Sequence, residues 1–110
     1  MAKCKKEYPQ GSYGAYLVDL IKNKNFTQEQ FRTELKVSKT YLVDVFNGRL
    51  KPPTPDMQEK MVAVLKLTDK EKADFYNKSA EGRKEIPKDI FDYLTSNPDE
   101  IDKIRKKIRR

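Results

Sequence analysis

Two helix-start signals only 11 residues apart constrain the fold of this chain more than any other feature. Thr27 can cap the amide of Gln30, and the Gln30 side chain can reach back to complete a capping box. Ser38 provides the second cap, at the start of another amphipathic stretch. So short a separation leaves room for one short helix and a tight bend. Residues 26–48 are therefore predicted to form two short helices joined by a turn of three to four residues.

The second of these helices, residues 38–47, is predicted to be amphipathic. The predicted inward stripe is Tyr41, Leu42, Val45 and Phe46, and the predicted outward or edge positions are Lys39, Thr40, Val43, Asp44 and Asn47. The pair Asn47-Gly48 is expected to close the helix, because both residues tolerate the left-handed backbone conformation that often ends one.

Apolar periodicity and capping residues predict helices through the rest of the chain. One covers residues 13 to about 23–25, before the two short helices. Gly82 is expected to end the helix that Thr68 begins. The later helices are predicted to start at Thr54-Pro55, at a Thr68–Glu71 capping box, at Pro87 and at Asn97-Pro98. Since no strand pattern appears anywhere, the predicted fold class is all-α.

The chain has 110 residues, enough for one compact domain with a modest core. Its net charge of +7 favours phosphate-rich partners but says nothing about the fold. Residues 1–52 hold ten Lys/Arg and five Asp/Glu (+5), residues 53–82 hold five and six (−1), and residues 83–110 hold nine and six (+3). The positive excess therefore lies on the two short helices and on the C-terminal tail.

Composition argues against several classes of site. The single cysteine, Cys4, allows no internal disulfide framework, and the lack of histidine excludes most transition-metal sites and the usual general base. We therefore expect no metal, no cofactor and no enzymatic activity. No apolar run approaches the roughly 18–20 residues that span a bilayer, and the polar N-terminus is unlike a secretory signal. A cytoplasmic protein with no membrane partner is expected.

One set of positions matches a known motif. These positions are Thr27-Gln28, Phe31, Leu35, Val37-Ser38, Leu42, Val45 and Asn47-Gly48. They resemble the lambda-repressor-like helix-turn-helix family, the Cro and Xre type of prokaryotic and phage regulators. The resemblance covers about residues 13–67 and implies a five-helix DNA-binding domain. Residues 68–110 resemble the helical extension of one subset of Xre-type proteins, and residues 1–12 are expected to form a flexible basic arm.

Four positions depart from the pattern of that family. Arg32 stands where Ala is usual, so its guanidinium is expected to reach the surface. Lys36 stands where Gly is usual and is expected to adopt a positive φ, at a cost of about 1 kcal/mol relative to Gly. Ile21 and Phe46 stand where many relatives carry an Arg–Glu ion pair. We predict that these two residues contact each other as a packed apolar pair, which is often neutral or stabilising.

The resemblance implies a sequence-specific regulator of transcription, a repressor, that inserts helix 38–47 into the major groove of double-stranded DNA. The residues expected to contact base edges are Lys39, Thr40, Val43 and Asp44. The residues expected to contact the DNA backbone are Thr27, Gln28, Ser38, Tyr41, Asn47, Arg49 and Lys51. The Ser38 hydroxyl is also needed as a cap, and Asp44 can alternatively form an ion pair with Lys39 or Arg49.

Because one such helix reads only about four base pairs, a homodimer is expected, with the C-terminal helices of residues 68–110 as the dimerisation element. The basic tail 103–110 can equally be a helix end that suits the macrodipole, a DNA contact or part of that dimer interface. An alternative function stays open. Arg32, Lys36 and Val43 would also suit an antitoxin-like or scaffolding protein-interaction module that keeps the fold and binds a protein partner.

Overall fold

The computed structural model describes residues 8, 9 and 11–108. Within them, all regular secondary structure is helical, and loops and turns join the helices. The seven helices are α1 (Tyr13–Asn23), α2 (Gln28–Leu35), α3 (Lys39–Phe46), α4 (Pro55–Leu65), α5 (Asp69–Arg83), α6 (Lys88–Ser96) and α7 (Pro98–Ile108). The all-α prediction is confirmed. Most of the arm predicted at 1–12, together with Cys4 and the last two residues of the basic tail, lies outside the described residues.

The first five helices each begin on a hydroxyl side chain that accepts a hydrogen bond from a free amide of the first turn. The caps are Ser12, Thr27, Ser38, Thr54 and Thr68. Both predicted capping boxes are present, since Gln30 and Glu71 each accept from the backbone amide of their cap residue. These local interactions satisfy amides that would otherwise lack a partner, and they fix where each helix starts.

One buried core joins α1 to α5. Its members are Leu17, Ile21, Phe31, Leu35, Leu42, Val45, Phe46, Met61, Val62, Leu65, Leu67, Phe75 and Tyr76. The prediction of five helices within residues 13–67 is wrong, because this range contains four, and the fifth helix of the core is α5, which begins at Asp69. The Tyr13 hydroxyl and the Ser79 Oγ lie 2.9 Å apart and bond α1 to α5. α5 packs on α1 and α4, and these two helices in turn pack on α2 and α3.

The two last helices differ from the rest because none of their residues is buried. α6 packs on α5, and α7 packs on α6. The described chain measures 60 × 25 × 23 Å, which is long for its size. None of its helices is long and apolar enough to cross a lipid bilayer.

One predicted helix boundary is wrong in detail. Gly82 does not end α5, which continues to Arg83 and is closed by Lys84 in the left-handed region. Instead Gly82 lies against Pro52, and a Cβ on it would come within 2.5 Å of the proline ring. The helix start predicted at Asn97-Pro98 is confirmed, because α7 begins at Pro98. Asn97 also closes α6, where its Nδ2 donates to the Tyr93 carbonyl at 2.8 Å.

Candidate nucleic-acid interface

The turn between α2 and α3 depends on one residue in an unusual backbone conformation. Lys36 has φ 62° and ψ 44°, the left-handed region that glycine adopts most easily. Its amide bonds the Thr33 carbonyl at 3.1 Å, and the amide of Val37 bonds the Arg32 carbonyl at 3.2 Å. This arrangement closes α2 and redirects the chain into α3. The positive φ predicted for Lys36 is confirmed.

The Arg32 side chain extends from the turn between α2 and α3 toward the surface. Its Nη1 donates to the Val37 carbonyl at 3.2 Å and its Nε donates to Glu29 Oε1 at 3.2 Å. The hydrogen bond from Arg32 lowers the pKa of the Glu29 carboxyl. About a third of the Arg32 side chain is exposed, so the guanidinium reaches the surface as predicted while its stem lies over the turn. Arg32 thus ties α2 to the start of α3.

The inner face of α3 is anchored against α1. Leu42, Val45 and Phe46 are each 2 % exposed. The Phe46 backbone lies so close to Gly14 that a Cβ on this glycine would be 1.9 Å from the Phe46 carbonyl oxygen. The Phe46 ring packs beside the Tyr8 ring, with 6.0 Å between their centroids. Ile21 is buried in the same core, but its direct contact with Phe46 stays a prediction.

The outer face of α3 is open to solvent. Lys39 and Thr40 are exposed, and Val43, Asp44 and Asn47 are partly exposed. No later helix covers Lys39 or Thr40. The residues that the sequence placed outward or at the edge are all exposed or partly exposed, so this part of the prediction is confirmed. Tyr41, which was predicted to face inward, is also partly exposed.

The start of α3 is electropositive. The Ser38 hydroxyl accepts from the Tyr41 amide at 3.0 Å, which leaves the amides of Lys39 and Thr40 without a partner inside the helix. The first turn of α3 holds no acidic residue, whereas α2, α4 and α5 each hold at least one there. Free amides, the helix dipole and the Lys39 ammonium all favour an anion at this end.

Asp44 and Arg49 lie side by side at the far end of α3. Arg49 Nη1 donates to Asp44 Oδ1 at 3.1 Å, so the alternative in which Asp44 pairs with Arg49 is the one observed. The Arg49 amide also bonds the Asp44 carbonyl at 2.9 Å. About two thirds of the Arg49 side chain remains exposed, and the carboxylate is mostly covered. The pair is close enough to the outer face of α3 to contact a ligand there.

Five of the seven residues expected to contact a DNA backbone are exposed, and Tyr41 and Asn47 are partly exposed. Thr27 and Gln28 are exposed at the start of α2, and Arg49 and Lys51 are exposed after α3. Tyr41 is half-buried, and this burial raises the pKa of its hydroxyl, while the nearby Arg83 lowers it. The Tyr41 ring packs against the core, as the sequence indicated.

Two residues near α3 were not singled out by the sequence. Arg83, at the end of α5, donates from Nη1 to the Pro52 carbonyl at 3.1 Å and pairs with Glu85. This bond holds the loop after α3 against the end of α5. The sequence could not predict it, because the two residues are 31 positions apart. Leu50 lies in the loop after α3, four residues beyond Phe46, and is 42 % exposed. A lone leucine in a loop gives no periodic signal, so its position could not be recognised from the sequence.

The described residues include no group of three acidic or cysteine side chains arranged to hold a metal ion. The chain matches no protein-family model, no curated protein and no solved structure. Its function is therefore to be inferred from its own side chains and their placement around α3.

Proposed function

We propose that this chain is a sequence-specific double-stranded DNA-binding protein that represses transcription in the cytoplasm, with α3 in the major groove. The division of α3 into two faces carries the proposal. Leu42, Val45 and Phe46 are buried, while Lys39 and Thr40 are exposed at an N-terminus without acidic residues. An eight-residue helix is about 12 Å long, comparable to the width of the major groove.

The side chains on the outer face of α3 suit the chemistry of base edges. Lys39 can donate to guanine O6 and N7, Thr40 can bond a base or a phosphate, and Val43 can pack on a thymine methyl group. Asp44 can accept a hydrogen bond from cytosine N4, either while it stays bonded to Arg49 or in place of that bond. In the proposed complex, backbone contacts come from Thr27, Gln28, Ser38, Tyr41, Asn47, Arg49 and Lys51, which would orient the helix without reading sequence.

The distribution of charge supports the same function. Residues 1–52, which contain α2 and α3, hold ten Lys/Arg against five Asp/Glu. Lysine and arginine side chains that neutralise phosphates release counterions, so such an interface gives tight binding that weakens steeply with salt. The proposed interface is therefore expected to show both a preferred sequence and a strong salt dependence.

Titration against duplex fragments of its own promoter across a salt series tests the proposal. Lys39→Ala should weaken binding to the preferred fragment by at least about tenfold and to random duplex by much less. Arg49→Ala should weaken both alike, because a phosphate contact carries no sequence information. Lys70→Ala is the matched control: this exposed lysine lies at the other end of α5 from Arg83 and should change neither. Equal losses from Lys39→Ala on all fragments would contradict sequence reading by α3.

A protein-interaction module is the second candidate function, and Leu50 favours it. This large apolar side chain is 42 % exposed beside α3, and the neighbouring Asp44 and Arg49 already neutralise each other. Burial of an exposed leucine suits a protein partner better than a DNA phosphate. If the folded chain bound no duplex even at low salt, this candidate would replace the first.

A further inference from the structure

Exposed apolar side chains are concentrated in the C-terminal helices. Six of the seven large hydrophobic residues that are exposed in the described part of the chain lie between residues 86 and 108. They are Ile86, Ile90, Phe91, Tyr93, Ile104 and Ile108. Scattered apolar residues on a surface are ordinary, but a cluster on two adjacent helices with no buried residue of their own marks an interface.

The size of this surface suits a protein partner. Aromatic side chains such as Phe91 and Tyr93 bury about 150–250 Å² each when fully covered, and these two residues are roughly half exposed. Four isoleucines with exposures of 43–72 % add to this surface. Together the six side chains offer several hundred Å² of apolar surface, a large share of the about 800 Å² that each partner contributes to a standard interface. The polar rim and the half-buried Leu94 and Ile101 would supply part of the remainder.

The charges of α7 indicate what that partner is. Its first turn holds Asp99 and Glu100, and its last turn holds Arg105, Lys106 and Lys107. A helix that is acidic at its start and basic at its end is complementary to another copy of itself in the antiparallel orientation. The helix macrodipoles are attractive in that orientation too. In the parallel orientation, the two basic ends would lie together and repel each other.

The isoleucines of α7 define a register for such a pair. Ile101, Ile104 and Ile108 follow the 3–4 spacing of a helix-pairing seam. When Ile101 of one copy faces Ile104 of the other, every acidic residue of α7 lies near a basic residue of the second helix. Glu100 and Lys107 flank the seam, so Glu100 of one copy lies beside Lys107 of the other. Two-fold symmetry repeats this contact.

We propose that α6 and α7 form an interface with a second copy of this chain, in which the two α7 helices pair antiparallel through Ile101 and Ile104. The exposed Ile90 and Phe91 of α6, which packs on α7, extend the interface. This proposal stands without DNA binding by α3, because it depends on the surface of α6 and α7 alone.

Sedimentation equilibrium of the full chain without DNA tests the proposal. Ile104→Asp should raise the dimer dissociation constant by at least about 30-fold, the effect expected when a central apolar contact is lost. Ala63→Asp is the control, because Ala63 is an exposed apolar residue of α4, outside α6 and α7. The control should leave the dissociation constant unchanged. A wild-type chain that stays monomeric at millimolar concentration overturns the proposal, as does a dimer that Ala63→Asp disrupts and Ile104→Asp does not.

A charge exchange tests the antiparallel register. Glu100→Lys and Lys107→Glu should each weaken the dimer several-fold, and the double variant should recover most of the loss. Glu100 also bonds Lys103 within α7 at 3.2 Å, so circular dichroism should confirm that each variant keeps its helix content. Losses that simply add in the double variant would overturn the register. Binding of a monomeric chain to vesicles rich in anionic lipid would show that the apolar face serves a membrane surface instead.

Discussion

Arg49 Nη1 lies 3.1 Å from Asp44 Oδ1, and this ion pair sets the charge of the surface beyond the end of α3. The Asp44 carbonyl accepts from both the Arg49 amide at 2.9 Å and the Leu50 amide at 3.3 Å. Side chain and main chain together hold the residues after α3 against its last turn. An exposed ion pair of this kind contributes little to stability, so its main effect is on what this surface can bind.

Replacement of Asp44 by Asn should strengthen binding to random duplex DNA. The change removes a negative charge from the proposed interface and removes the carboxylate that competes with a phosphate for the Arg49 guanidinium. We expect several-fold tighter binding at low salt and a slope of log K against log salt that is steeper by about 0.9, as for one more neutralised phosphate. Fluorescence anisotropy across a salt series measures both. A selective loss on the preferred site alone would show instead that the Asp44 carboxylate reads a base.

Local signals in the sequence predicted local structure well. The capping boxes at Thr27 and Thr68 depend only on residues three positions apart, and both are present. The positive φ of Lys36 followed from its place in the helix-turn-helix pattern. The role of Gly82 was not predicted, because it depends on Pro52, which is distant in the sequence and packs against this glycine. No periodicity within α5 could reveal that contact.

The same distinction applies to the candidate site. The outward and inward residues of α3 were predictable, because helical periodicity fixes which side chains share a face. The pairing partner of Asp44 was not, since it depends on how the loop after α3 folds back. The exposure of Ile104 and Ile108 could not be predicted either. An apolar stripe on a helix indicates that it packs against another element, and only the structure shows that the described part of this chain leaves these two side chains exposed.

Substitution of Lys36 by Gly should stabilise the fold by about 1 kcal/mol, because glycine adopts the left-handed conformation without a Cβ clash. Lys36→Ala keeps the Cβ and should leave stability within about 0.5 kcal/mol of the wild type. Urea denaturation of both variants measures the difference. Lys66 and Lys84 also have positive φ, of 52° and 59°, so their Gly variants should show gains of the same sign. No gain from any of the three would contradict the assigned backbone strain.

Glu71 should make stability depend on pH in the acidic range. Lys24 Nζ lies 2.6 Å from Glu71 Oε1 and links the end of α1 to the start of α5. The hydrogen bond from Lys24, with a further one from the Thr68 backbone, lowers the pKa of Glu71 below its ordinary 4.5. A carboxyl whose pKa is lower in the folded state stabilises the fold above its unfolded pKa. That contribution disappears as the pH falls through the lower, folded value.

The Glu71→Gln variant isolates this contribution, because glutamine keeps the capping geometry and loses only the charge. The wild type should be more stable than Glu71→Gln at pH 7, and the difference should shrink steadily below pH 4.5. Thermal unfolding of both proteins at several pH values measures it. Glu81→Gln, on an exposed residue of the same helix, is the matched control. A difference between wild type and Glu71→Gln that stays constant from pH 7 to about 3 would contradict the role of the charge.

Gly14→Ala should be strongly destabilising, because Gly14 lies where α1 packs against α3. A Cβ at this position would lie 1.9 Å from the carbonyl oxygen of Phe46 and 2.7 Å from its carbonyl carbon, so α1 and α3 would have to separate. Because backbone atoms cannot rotate away as a side chain can, we expect a loss of at least about 3 kcal/mol, the upper end for overpacked cores. Displacement of α3 should also weaken duplex binding beyond what the loss of stability alone explains.

Gly48→Ala separates this steric effect from the ordinary cost of replacing a glycine. Gly48 has φ 79°, and no atom lies within 4 Å of the position that a Cβ would take, so its substitution strains only the backbone. We expect a loss of about 1 kcal/mol for this variant, compared by urea denaturation with Gly14→Ala. Similar losses from the two variants would mean that α1 and α3 tolerate separation at Gly14. The outer face of α3 would then not be held in a fixed position by its contact with α1.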